Sequence, residues 1–115
     1  FAGYRTDVPR WLLASDLVVL STHWEGMPLS LWEAMAHGLP VVATAVDGIP
    51  ELVQHDSTGV LVGPGDDRAL AHAIAALVAD PSRARRLGDA GRAFVQRHWD
   101  EGELADTMLE VYADA

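Results

Sequence analysis

Residues 17–44 read LVVLSTHWEGMPLSLWEAMAHGLPVVAT, an apolar run, a helix-forming segment and a second apolar run. The two runs, 17–20 and 41–44, are uninterrupted rather than alternating, as is typical of strands buried on both faces of a parallel sheet. The segment 29–37 carries its apolar residues at helical spacing, begins behind a proline and ends at a glycine. This order of strand, helix and strand predicts a parallel α/β unit.

The sequence on either side of this unit extends the same pattern. A third apolar run at 60–62 follows a short helical turn at 50–54, and a helix is predicted at 7–15. Residues 1–3 resemble the end of a fourth strand. The expected fold is therefore an α/β Rossmann-like parallel sheet of three or four strands flanked by helices, with further strands upstream covering its open edge.

The C-terminal end is predicted to be all helical. An aspartate at 66–67 can cap a helix. Its inward-facing residues are expected to be Leu70, Ile74, Leu77 and Val78. Pro81 begins the next helix, whose Gly88 and Gly91 predict close packing or a kink, because each glycine costs about 1 kcal/mol in a helix interior. The pair at 100–103, an Asp and a Glu, forms a capping box for a last helix.

Composition limits the classes of function. The 115 residues make one domain at most, and half of them are hydrophobic. The net charge of -9 argues against nucleic-acid binding, and all eight basic residues are arginines. The chain has no cysteine and its five histidines are scattered, so we expect no metal site. No apolar stretch is long enough to predict a transmembrane segment.

The loop at 21–28 leaves the first strand and opens the helix, which is where ligands bind in open parallel sheets. Gly26 has no side chain, so a ligand can approach the backbone. The amides of Leu29, Ser30 and Leu31 lack partners within the helix. Together with the helix dipole they can hold a diphosphate without a basic residue.

Two glutamates flank this helix start. Glu25 lies in the loop, and Glu33 is in the helix, where side chains lean toward the N-terminus. Carboxylates accept hydrogen bonds from hydroxyls, and one carboxylate can bind a vicinal diol. We predict that Glu33 binds a ribose and Glu25 a sugar on either side of the diphosphate. Spacing alone carries little weight; the strand, glycine and proline around the two residues make the prediction specific.

The segment EGMPLSLWEAMA at 25–36 resembles the signature of family 4 retaining glycosyltransferases, which have the GT-B fold. The segments GLPVVAT at 38–44, GIPELV at 48–53, TGVLV at 58–62 and GD at 65–66 continue the resemblance in the expected order. It covers nearly the whole chain. By this resemblance, residues 1–115 form part of the C-terminal, donor-binding domain of such an enzyme.

The resemblance also assigns roles to individual residues. It implies that Glu25 is the catalytic residue that contacts the donor sugar, that the backbone after it holds the diphosphate, and that Glu33 binds the ribose. The donor-binding positions are Thr22, Gly26, Met27, Pro28, Leu29, Ser30 and Glu33. The implied chemistry is retaining and metal-independent, with a nucleotide-diphosphate sugar as donor substrate and no further cofactor.

The chain departs from the family pattern in three respects. Ser21-Thr22 stands where the family often has Pro-Ser, and the hydroxyl survives at Thr22. Asp47 stands where the family often has the first of two glycines. The family's Arg and Lys that neutralise the leaving diphosphate lie upstream, as does the acceptor-binding N-terminal domain, which we expect to be the partner of this segment. We therefore expect the chain alone to transfer no sugar. The full-length enzyme is expected in the cytoplasm, at the inner face of the membrane.

Two other functions fit the same residues. One is an epimerase or phosphorylase with a GT-B-like fold, because a fold does not determine an activity. The other is a non-catalytic nucleotide-sugar-binding module or partner subunit. The sequence names neither the sugar and base of the donor nor the acceptor and linkage.

Overall fold

A computed structural model of the chain describes Gly3, residues 5–24, residues 29–100 and Gly102. Its elements in chain order are α1 Val8–Leu13, β1 Val18–Leu20, α2 Leu29–Ala36, β2 Val41–Thr44, α3 Ile49–Leu52, β3 Val60–Val62, α4 Asp67–Ala79 and α5 Pro81–Asp100. The three internal strands and the helices around them confirm the predicted α/β class. Phe1 and Ala2 of the predicted fourth strand, and Glu103 of the predicted capping box, lie outside the described residues.

The three strands form one open parallel sheet in the order β1-β2-β3. Val18 pairs with Val41, and Val42 pairs with Val60. All four residues of β2 are buried, because helices cover both faces of the sheet. One face packs against the core residues Leu31, Ala34, Met35, Ile49, Leu52, Val53, Phe94 and Val95, and the other against Ala73, Leu77 and Leu87.

Local signals in the sequence explain where the helices begin and end. Asp66 caps α4, its carboxylate accepting a hydrogen bond from the Ala69 N–H at 3.0 Å. Helix α2 ends in a Schellman motif, in which Gly38 adopts φ +73° and the Leu39 N–H donates to the Ala34 carbonyl at 3.1 Å. The chain therefore turns sharply from α2 into β2.

The two glycines inside α5 mark close packing, one of the two predicted alternatives. A Cβ on Gly88 would overlap the carbonyl oxygen of Gly38, and one on Gly91 would lie 3.2 Å from the carbonyl oxygen of Thr58. The helix continues through both positions to Asp100. Glycine at these sites thus lets α5 lie directly against the backbone of two loops.

One packing expectation is wrong. Val78, predicted to face inward, is 68% exposed, because Ala73 and Leu77 bring the opposite side of α4 against the sheet. On α5, the guanidinium of Arg83 forms a salt bridge with Asp56 in the loop before β3. This ion pair joins α5 to that loop.

Among the described helices, none is long and apolar enough to span a bilayer.

Replacing Gly88 by alanine is expected to destabilise the chain by about 2 kcal/mol, because the new methyl group overlaps a backbone oxygen that cannot move without shifting a helix. The gain in helix propensity, about 1 kcal/mol, does not offset this. Gly91→Ala is the graded control and should cost less. Denaturant unfolding of both variants measures their free energies of unfolding. A Gly88→Ala chain more stable than wild type would contradict the close contact between Gly88 and the Gly38 carbonyl.

The ion pair between Asp56 and Arg83 should make the stability of the fold depend on pH. The hydrogen bond from Arg83 lowers the pKa of Asp56, and desolvation opposes it only in part. The pKa of Asp56 is lower in the folded chain than in the unfolded chain. The ion pair therefore stabilises the fold above the ordinary aspartate pKa, and this stabilisation is lost as the pH falls through the folded-state pKa. Arg83→Gln should raise the pKa of Asp56 in a carboxyl-carbon NMR titration. Arg85→Gln, on the same helix, is the control and should leave the pKa of Asp56 unchanged.

Candidate functional site

The carboxyl ends of all three strands lie at one edge of the sheet, because the strands are parallel. A cavity of about 250 Å³ opens at this edge. It is lined by Ser21, Thr22, His23, Thr44, Val62, Gly63, Gly65, Asp66, Asp67 and Leu70. The segment leaving β1, the end of β2 and the start of α4 therefore share one concave surface, at the position where ligands bind in open α/β sheets.

Thr22 and Thr44 join the first two strands at this edge. The Thr44 hydroxyl accepts a hydrogen bond from the Thr22 N–H at 3.1 Å and donates one to the Thr22 carbonyl at 2.7 Å. The hydroxyl of Thr22 in turn donates to the carbonyl of Trp24 at 2.6 Å. These hydrogen bonds thus fix the chain that leaves β1 as far as Trp24.

These bonds engage part of the hydrogen-bonding capacity of Thr22, one of the predicted donor-binding residues. Its hydroxyl was expected to contact the donor, but its single hydrogen is already donated within the loop. The oxygen retains the capacity to accept a hydrogen bond from a ligand. Donor binding by Thr22 therefore stays a prediction.

Helix α2 follows with its apolar side anchored in the core. Leu31, Ala34 and Met35 are completely buried against the sheet and α5, whereas Ser30 and Glu33 are exposed. The amides of the first turn have no carbonyl one turn earlier in the helix to bind. Glu33 is thus an exposed carboxylate one turn after Ser30 in the described part of α2.

Glu25, Gly26, Met27 and Pro28 lie outside the described residues. Their predicted roles toward the donor stay predictions. The structure describes Trp24 and Leu29, the residues immediately before and after this segment. Leu29 is the first residue of α2.

Thr44 is a residue of this edge that the sequence motifs did not indicate. It is 5% exposed and is the polar last residue of an otherwise apolar strand, at the carboxyl end where ligands bind. That position is the signal by which it could have been recognised. His23 and Trp24 are both exposed beside the cavity, and Trp24 is 78% exposed.

Asp47 adopts the left-handed region with φ +47°. Aspartate tolerates this conformation better than most residues other than glycine and asparagine. The backbone of the loop after β2 therefore keeps a shape that favours glycine, even though the chain has Asp at this position.

Within the described ranges, no group of three or more His, Cys, Asp or Glu side chains is arranged to hold a metal ion.

Comparison with solved structures identifies proteins with this arrangement. The whole chain superposes on 32% of a crystal structure of Anabaena Alr3699/HepE in complex with UDP-glucose, with a TM-score of 0.84 and 31% identity. A second match is the C-terminal domain of the glycosyl transferase group 1 family protein LpcC from Francisella tularensis. There 86% of this chain covers 51% of the solved chain, with a TM-score of 0.77 and 30% identity.

Sequence comparison agrees with the structural matches. A D-inositol 3-phosphate glycosyltransferase from Xylanimonas cellulosilytica is 44% identical over 112 residues, which are 96% of this chain and 26% of that protein. The chain thus spans about a quarter of the length of this curated relative. The family model described as glycosyl transferases group 1 matches residues 1–80. On this evidence the chain belongs to the glycosyl transferases group 1 family.

Proposed function

We propose that this chain is the donor-binding part of a retaining glycosyltransferase, which transfers a sugar from a nucleotide-diphosphate sugar to an acceptor hydroxyl. The observation that carries the proposal is the superposition of the entire chain on part of Alr3699/HepE crystallised with UDP-glucose. The sheet edge with its cavity and the start of α2 are the surfaces that the donor would contact.

The diphosphate is assigned to the N-terminus of α2. The chain carries a net charge of -9 and no lysine, so an anion must be held by local groups rather than by the overall field. The amides of Leu29 and Ser30, together with the helix dipole, are such groups. The same dipole stabilises negative charge that develops on the diphosphate as it leaves, without a metal ion.

The two glutamates are assigned to the hydroxyl-bearing parts of the donor. Glu33 is exposed and lies three residues after Ser30, so the two share one side of α2. Its carboxylate would accept hydrogen bonds from both hydroxyls of the ribose. Glu25 would bind the hydroxyls of the transferred sugar and hold it for attack by the acceptor from the face the nucleotide leaves, as a positioning group rather than a covalent nucleophile.

The rest of the enzyme would supply what this chain lacks. An acceptor-binding N-terminal domain and basic residues that neutralise the diphosphate are the expected partners. A cytoplasmic setting fits the lack of cysteine.

Glu33→Ala tests the ribose contact. We expect the wild-type chain to bind UDP, ADP or GDP with roughly millimolar affinity, near -4 kcal/mol, and more tightly than the 2′-deoxy form of the same nucleotide. The variant should bind the ribonucleotide several-fold more weakly and lose the preference for it, because the diol has lost its acceptor. NMR titration of both nucleotides against both proteins measures this.

The control for that experiment is Asp89→Ala. Asp89 is also an exposed helical carboxylate, but it lies on α5, away from the carboxyl edge. It should leave both affinities unchanged. Equal binding of the ribonucleotide by wild type and Glu33→Ala would contradict the assignment of Glu33.

The purified chain is expected to transfer no sugar, because the acceptor site and the upstream basic residues are not part of it. Incubation with UDP-, GDP- and ADP-glucose, followed by chromatography of the sugar products, checks this. Measurable transfer would overturn the expectation, and an epimerised sugar would favour the epimerase alternative. Release of a sugar 1-phosphate in a parallel incubation with an oligosaccharide and inorganic phosphate would favour the phosphorylase alternative.

A further inference from the structure

We infer that His55 is a pH-sensitive cap on the outer edge of β3, the edge that faces away from β2. The neutral imidazole holds this edge, and the protonated imidazole releases it. His55 lies in the loop between α3 and β3, and its side chain contacts both Leu61 of β3 and Asp56. The inference is independent of donor binding, because it concerns the side of the sheet rather than the carboxyl ends of the strands.

The outer edge of β3 has a backbone group that needs a partner. Strand β3 is the last in the order β1-β2-β3, and the described part of the chain places no further strand beside it. Successive residues of a strand direct their N–H and C=O groups toward opposite edges. The Val62 carbonyl accepts from the Ala45 N–H, just after β2, so the N–H of Leu61 points away from β2. An unpaired N–H at such an edge is a place where another chain can pair.

The loop before β3 covers this edge in two steps. His55 forms an isolated parallel bridge with Gly59, and the Asp56 N–H donates to the Gly59 carbonyl at 2.8 Å. Two residues further along β3 the partner is a side chain, since Nδ1 of His55 accepts the Leu61 N–H at 3.0 Å. The imidazole therefore takes the place that a neighbouring strand would have at Leu61.

The hydrogen bond to Leu61 requires a neutral imidazole. A backbone N–H can only donate, so Nδ1 of His55 must carry a lone pair and the ring hydrogen must be on Nε2. In a protonated ring both nitrogens carry hydrogens and neither can accept. Two donors would then face each other, so the cap on Leu61 is lost. Histidine is the side chain that ordinarily changes charge between about pH 5 and 8.

A partner for the protonated imidazole is already in place. Nε2 of His55 lies 3.4 Å from a carboxylate oxygen of Asp56. Protonation turns this contact into an ion pair, so the imidazole exchanges a hydrogen bond to β3 for a charge interaction within its own loop. Asp56 also binds Arg83, which lowers the pKa of Asp56 and keeps its carboxylate ionised across the range in which histidine titrates.

The other charged groups near His55 come from α4 and α5. His72 on α4 and Arg83 on α5 line the same cavity of about 240 Å³ as His55 and Asp56. Arg86 on α5 also acts on Asp56 through space. The two arginines oppose a positive charge on His55, whereas Asp56 favours it. The side chains of His55 and Asp56 are 55% and 57% exposed, so a proton reaches the imidazole without opening of the core.

Hydrogen exchange of the Leu61 amide tests the cap. Its protection in the wild-type chain, corrected for the intrinsic effect of pH on exchange, should fall at least about fivefold between about pH 7.5 and about pH 5, the loss of one hydrogen bond. The amide of Val62 is the internal reference. It should change less than about twofold, because the polar groups of Val62 face β2.

Two variants separate the acceptor from the charge. His55→Asn places an amide oxygen close to the position of Nδ1 and does not titrate, so protection of Leu61 should be the same at both pH values. His55→Phe keeps a ring but has no acceptor, so the Leu61 amide should exchange at least about fivefold faster than in wild type at the higher pH. It should show no further loss at the lower pH.

His72→Asn is the matched control. It removes the other histidine that lines this cavity, on a helix rather than in the loop, and His72 makes no contact with Leu61 that the cap requires. The pH response of the Leu61 amide should stay as in wild type. Loss of that response in His72→Asn would assign the titration to His72 and overturn the inference.

Nitrogen chemical shifts of the His55 ring give a second measurement, which needs no variant. At the higher pH the hydrogen should be on Nε2 and not on Nδ1. A neutral ring with its hydrogen on Nδ1, unchanged Leu61 protection in His55→Phe, or a pH response that persists in His55→Asn would each contradict the cap. If His55→Phe does not fold, the ring shifts and the comparison of wild type with His55→Asn still decide.

Discussion

Burial of β2 on both faces is the constraint from which the rest of the architecture follows. Its four residues are covered on one side by α2, α3 and the later part of α5, and on the other by α4 and by Leu87 of α5. A strand in that position must be paired on both edges to satisfy its backbone, which places β1 and β3 beside it. With all three strands parallel, their carboxyl ends and the loops that follow meet at one edge, and the cavity forms there.

Close contact between backbones holds the helices in place around this strand. Gly88 brings α5 onto the carbonyl of Gly38, the residue that also ends α2 in a left-handed turn. Helix α2 is thereby held between the sheet and α5. Its apolar residues are buried and its polar side, with Ser30 and Glu33, remains exposed. The exposed groups that the proposed function uses are a consequence of how the helix is anchored.

Under the proposed function, the negative charge of the chain opposes binding of an anionic donor. With a net charge of -9, the overall field repels a diphosphate. Amides at a helix start act over short distances, so they can hold the anion despite that field, but only if the loop before them has a defined path. The hydrogen bonds of Thr44 and Thr22 provide this order at the β1 side of the loop.

Local patterns in the sequence determined the type and order of the elements, the Asp66 cap and the positions of Ser30 and Glu33 on α2, because periodicity and capping depend on neighbouring residues. The tertiary structure alone decided the partners of Thr44 and Arg83 and the contact at Gly88. These contacts join segments about 20 to 50 residues apart, and such pairs arise only when distant elements pack. No local pattern contains that information.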